Sequence, residues 1–104
     1  MRALLIDPFE REISVTNMPE FSSDVQKRIG GPLLLAARFP NGDVLYVAKD
    51  CTSQEKLSVG GSQVFSGYGV VLGRRGRFGE FKNAQGKLDS IAGITFFDSS
   101  QSEK

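Results

Sequence analysis

Leu33-Leu34-Leu35-Ala36-Ala37-Arg38-Phe39, Pro40-Asn41-Gly42-Asp43 and Val44-Leu45-Tyr46-Val47-Ala48 follow one another without a break. The first run reads as a strand buried on both faces for most of its length, and the last as its antiparallel partner. Between them, Asn41-Gly42 favours the positive φ angles of a tight hairpin turn. A β-hairpin over 33–48 is therefore the anchor from which the rest of the chain is read.

Upstream, Arg2-Ala3-Leu4-Leu5-Ile6 is a short apolar run closed by Asp7-Pro8, and Glu12-Ile13-Ser14-Val15-Thr16 alternates as a half-buried strand does. Together they predict a first hairpin with Asp7-Pro8-Phe9-Glu10 at its tip. Ser22 or Ser23 can cap a helix of about two turns, with Asp24 in its first turn and Val25 and Ile29 on one face. Gly30-Gly31-Pro32 stops it. Downstream, residues 50–63 are polar and read as a long loop, with Leu57 and Val59 as its buried candidates. Gly69-Val70-Val71-Leu72-Gly73 reads as a strand and Arg74-Arg75-Gly76-Arg77 as an exposed turn. The segment from Phe78 to Gly86 reads as irregular, and Leu88 to Phe97 closes the sheet, with Ile91 to Phe97 as the last strand. The fold class is α+β: a small, mainly antiparallel β-sheet with one short helix packed on a face. Residues 1–97 form a single domain, and 98–104, built only of Ser, Asp, Glu, Gln and Lys, a disordered C-terminal tail.

The composition removes most familiar catalysts. Among 104 residues there is no histidine, no tryptophan and one cysteine. No Ser-His or Cys-His dyad, histidine-based zinc site or disulfide framework can be assembled. No catalytic residue, metal or cofactor is expected. The apolar run Leu33–Ala37 is far short of the roughly 20 residues of a membrane span, and no segment looks like a signal peptide. A lone cysteine among polar neighbours fits a reducing cytoplasm.

The overall formal charge is only +1, but it is unevenly placed. Residues 68–87 hold Arg74, Arg75, Arg77, Lys82 and Lys87 against Glu80 alone, whereas the first fifty residues carry six basic and seven acidic groups. Tyr68 and Phe78 stand among these cations. Arginine forks bind phosphate in a bidentate manner and aromatic faces stack on bases. Arg74, Arg75, Arg77, Lys82, Tyr68 and Phe78 are thus candidates for a nucleotide or nucleic-acid site, weighed against a solvated hairpin tip. Asp7, Glu10 and Glu12 cluster where paired carboxylates could hold Mg²⁺ or do acid–base work, but Arg11 sits among them and turn chemistry explains Asp7 beside Pro8. The polar loop offers a second candidate surface, for protein binding, through Cys51, Ser53, Glu55, Lys56 and Leu57.

The opening Met1-Arg2-Ala3-Leu4-Leu5-Ile6-Asp7-Pro8-Phe9-Glu10-Arg11, the segment Phe39-Pro40-Asn41-Gly42-Asp43-Val44-Leu45-Tyr46-Val47 and the stretch Ser66-Gly67-Tyr68-Gly69-Val70-Val71-Leu72-Gly73 together resemble a family. They resemble small uncharacterised proteins of phages, prophages and other bacterial mobile elements. The resemblance spans roughly residues 1 to 97 and carries no catalytic residue. It implies a non-enzymatic accessory protein that acts stoichiometrically on a bacterial host protein or defence complex. Where the relatives are acidic after the late strand, this chain has Arg74-Arg75-Gly76-Arg77, which keeps nucleotide or nucleic-acid binding as the alternative. Exposed sheet edges also give a second copy of the chain a place to pair.

Overall fold

The computed structural model describes residues 1–18, 22–49, 51, 54–60, 64–78 and 80–99. In chain order the elements are β1 (Arg2–Asp7), β2 (Glu12–Asn17), α1 (Ser22–Ile29), β3 (Leu33–Arg38) and β4 (Val44–Ala48). There follow β5 (Glu55–Val59), β6 (Phe65–Ser66), β7 (Gly69–Leu72), α2 (Leu88–Ala92) and β8 (Thr95–Ser99). The described residues are mainly antiparallel β-structure with two short helices. The strands form two sheets rather than one, in the orders β2-β1-β7-β4-β3 and β6-β5-β8.

Both predicted hairpins form, and β7 joins them by pairing with β1 on one side and β4 on the other. Its insertion leaves β1, β4 and β7 covered on both faces. Ala3, Leu5, Val44, Tyr46, Val70 and Leu72 are buried on one side with Val25 and Ile29 of α1. Leu4, Ile6, Leu45, Val47 and Val71 are buried on the other, against Leu57 and Val59 of β5 and Ile91 of α2. The strict alternation follows from the two-residue period of a strand. Each such side chain fully removed from water contributes about 1.5–3 kcal/mol. Gly69 is part of this packing: a Cβ there would stand 3.2 Å from Leu57 Cδ2 and 3.3 Å from Leu45 Cδ1.

Several expectations are corrected. The strand buried on both faces is β4, whereas β3 is an edge strand with Leu34 and Leu35 exposed at 40% and 42%. Five consecutive apolar residues signal a strand but not its rank in the sheet. The β3–β4 connection is not a two-residue Asn-Gly turn. The Gly42 N–H bonds to the Phe39 carbonyl at 3.0 Å and the Phe39 N–H to the Asp43 carbonyl at 2.9 Å, and Gly42 alone of the turn has positive φ, +96°. Pro40, with its φ fixed near −65°, starts a type I turn, and Gly42 supplies the left-handed residue that completes a three-residue loop.

The expected loop over 50–63 contains β5, the middle strand of the second sheet. Residues 88–92, read as part of the closing strand, are the helix α2, and β8 runs to Ser99, two residues past the expected domain end at 97. Residues 100–104 lie outside the described residues, as does Ser53, and so do the side chains of Ser22, Ser23 and Asp24 assigned to the cap of α1. The helix ends as expected: Gly30 adopts φ +97° and donates to the Gln26 carbonyl at 2.8 Å, as Gly31 does at 3.0 Å.

Candidate phosphate site

The residues that come together around chemistry lie at one end of the five-stranded sheet. β3 pairs with β4 through Leu35 opposite Tyr46, Ala37 opposite Leu45 and Arg38 opposite Val44, with the register shifting between Leu35 and Ala37. In a regular strand, side chains three apart point to opposite faces. The bulge at Ala36 supplies one extra residue and re-aims Arg38 to the face of Leu35 and Tyr46.

The second contribution arrives after β7. Gly73 donates to the Lys82 carbonyl at 2.9 Å and Gly76 to the Glu80 carbonyl at 2.7 Å; Arg75 and Phe81 form a bridge between them. The chain therefore folds back as a narrow hairpin over 73–82. Its return arm plants Phe81 in the core at 2% exposure, edge-on to Tyr46 with centroids 5.4 Å apart. The Arg75 guanidinium carbon lies 4.4 Å from the centre of the Phe81 ring, a cation–π contact that limits where the charge can move. Arg74 lies across Gly42: a Cβ at that glycine would be 3.0 Å from Arg74 Nη2.

The result is an open cavity of about 480 Å³ with Arg38, Arg74 and Arg75 on its walls and Leu35, Val44 and Tyr46 among its lining. None of the described residues that line it is acidic. Three residues with planar guanidinium groups thus line one cavity beside Leu35 and Val44. Such a set grips phosphate or another oxyanion through charge-assisted forks.

The hairpin tip is fastened to the far segment by Asp43, buried to 1% exposure. Its carboxylate accepts the Gln85 N–H at 2.9 Å and 3.0 Å, the Gly86 N–H at 2.7 Å and the Asn41 side-chain amide at 3.2 Å. Asn41 Oδ1 in turn accepts the Asp43 N–H at 2.9 Å. Asp43 is thus a structural clamp, as its place in the turn suggests.

Of the sequence-predicted phosphate residues, the structure brings Arg74 and Arg75 into the cavity and leaves the others outside it. Arg77 and Phe78 sit at the turn that follows Gly76, and Phe78 is 83% exposed. Lys82 is exposed on the return arm and does not line the cavity. Tyr68 lies beyond the opposite end of β7, its ring tilted against that of Phe9 at 5.1 Å, roughly 20 Å from Arg74 at about 3.3 Å per extended residue. Arg38 was missed. Nothing in the sequence ties it to arginines thirty-six residues downstream.

The protein-binding candidates fare differently. Leu57 is fully buried, Glu55 and Lys56 are half-buried members of β5, and Cys51 is half-buried against the core, close beside Gly67, where φ is +84°. Glu55, Lys56 and Leu57 therefore belong to a strand, and Ser53 lies outside the described residues. Asp7 is occupied by its own turn, accepting the Phe9 and Glu10 N–H groups at 2.9 Å and 3.1 Å. Among the described residues no three His, Cys, Asp or Glu side chains gather to hold a metal, and no helix is long and apolar enough to cross a membrane. In comparisons with known proteins, no family model, no curated protein and no solved structure matches this chain.

Proposed function

We propose that this chain is a non-enzymatic binding domain that holds the phosphate groups of a nucleotide or nucleic acid in the cavity of Arg38, Arg74 and Arg75. The observation that carries this reading is that Arg38 from one segment and Arg74 and Arg75 from a distant one line a single cavity. The cavity volume lies within the 300–1,000 Å³ range of small-ligand sites. Val25 and Ile29 of α1 share a buried cluster with Tyr46 and Phe81, and Phe81 is the ring under the Arg75 guanidinium.

The test is calorimetric titration with a nucleoside triphosphate at low salt, for the native chain and for Arg38→Glu and Arg74→Glu. The proposal expects saturable binding weakened about tenfold or more by each substitution, since charge-assisted bonds contribute about 1.5–3 kcal/mol. Equal affinity in all three proteins contradicts it.

A second reading follows from the exposed Leu34 and Leu35 on the edge strand β3. An unpaired strand edge accepts an added strand from another chain. This supports the accessory role that the resemblance to mobile-element proteins implies: stoichiometric binding of a bacterial host protein or defence complex in the cytoplasm, or pairing with a second copy. Replacing Leu34 and Leu35 together by lysine should abolish such pairing; capture of the same partner by the double variant contradicts it.

A further inference from the structure

The turn that carries Gly42 has a second cavity on its other side. It measures about 500 Å³ and is lined by Phe39, Pro40, Ile91 and Ile94, with Ser90 and Lys87 also contributing. Val44 and Tyr46 place the arginine cavity on one face of the five-stranded sheet. Phe39 and Ile91 belong to the cluster on the opposite face. The two cavities therefore stand back to back across the tip of the β3–β4 hairpin.

Each cavity carries fixed positive charge: Arg38, Arg74 and Arg75 on one side, Lys87 on the other. The carboxylate between them, Asp43, is turned inward and held by Gln85, Gly86 and Asn41. A polyanion passing over the tip therefore meets cations on both sides and no exposed carboxylate from the turn. The second cavity has a different character from the first. The ring of Phe39 and the face of Pro40 suit the flat, apolar face of a base better than a phosphate.

We infer that the ligand is a single-stranded nucleic acid that crosses the hairpin tip. Its phosphates lie among the three arginines, a neighbouring base enters the cavity of Phe39 and Ile94, and Lys87 meets the following phosphate. The inference rests on the phosphate-binding reading above and deepens it from nucleotide to polymer. A duplex does not fit the path. Its persistence length is about 150 base pairs, whereas the tip to be rounded is one sheet thick, roughly 10 Å. A single strand bends at every nucleotide.

The experiment measures affinity for a mononucleotide and for oligothymidylates and oligouridylates of increasing length, with a duplex of matched length as a further probe. The proteins are the native chain, Arg74→Glu and Lys87→Glu, both substitutions lying at exposed positions. The inference expects affinity to rise at least about tenfold from a mononucleotide to an oligomer of roughly four nucleotides, the lower limit of single-strand sites. Lys87→Glu should cut that length-dependent gain about fivefold and reduce the salt dependence by about 0.7 for the one phosphate it releases. Arg74→Glu should weaken mononucleotide and oligomer alike. The thymidylate and uridylate arms assign the polymer as DNA or RNA, and the length-dependent gain in either supports the inference. Equal affinity for mononucleotide and oligomer, tighter binding of the duplex, or a gain indifferent to Lys87→Glu overturns it. Failure of the arginine site itself reads differently: no probe binds, or Arg74→Glu changes nothing.

Discussion

Leu35 and Arg38 are three residues apart on one strand, yet both line the same cavity, because the bulge at Ala36 restores their parity. The irregularity in β3 therefore has a consequence at the site: it puts a cation where a regular strand would have turned it to the opposite face. Arg38→Ala should weaken phosphate binding about fivefold to tenfold while leaving unfolding free energy within about 0.5 kcal/mol, since the residue is exposed. Arg77→Ala, outside the cavity, should have a much smaller effect. Calorimetry and urea denaturation on the two variants check both halves.

Asp43 ties the hairpin tip to the 85–86 segment through the Gln85 and Gly86 N–H groups. Asp43→Ala leaves these donors without their partner in a partly buried setting. Stability should fall by about 2–4 kcal/mol, the combined loss of charge-assisted bonds and of satisfied donors. Asp43→Asn keeps one acceptor and should lose less. Denaturant melts of the two variants, compared at constant m-value, measure the difference.

Gly42 combines a φ of +96° with an Arg74 guanidinium nitrogen 3.0 Å from where a Cβ would stand. Gly42→Ala should cost about 1–2 kcal/mol from backbone strain and also displace Arg74. Phosphate affinity is expected to drop together with stability. Gly30, at φ +97° but with open space around it, is the control: Gly30→Ala should cost comparable stability and leave affinity unchanged.

Binding should depend on pH through the ligand. Guanidinium groups hold their charge across the accessible range, and the chain has no histidine. A phosphate monoester loses its second negative charge below about pH 6. Affinity for a nucleoside monophosphate should thus be full above pH 7 and decline as pH falls through about 6. A phosphodiester, which stays a monoanion, should show no such step. Titrations at matched ionic strength distinguish the two ligands.

Much of the fold was legible in the sequence because turn chemistry and strand periodicity are local. Asp7-Pro8, Pro40-Asn41-Gly42 and Gly30-Gly31-Pro32 mark the two hairpins and the end of α1 where the structure has them. The errors arise where tertiary partners decide. β5 was hidden because Glu55 and Lys56 made a polar stretch of it, although Leu57 and Val59 already alternate inward. α2 is five residues long and runs within two residues of β8, so its apolar spacing merged with that of the strand. The rank of β3 as an edge was invisible because β7, which fills the sheet centre, comes more than thirty residues later. The candidate site was half legible for the same reason: Arg74 and Arg75 announce themselves as a pair, whereas Arg38 joins them only through a bulge and a hairpin tip.

The most direct measurement follows the arginine side-chain Nε–H resonances of the isotopically labelled protein during titration with a nucleotide. The account predicts that Arg38, Arg74 and Arg75 shift together along one saturating curve, while Arg11, Arg28 and Arg77 stay within a small, non-saturating drift. If the three fail to move, or all exposed arginines respond alike in proportion to added charge, the cavity is not a phosphate site.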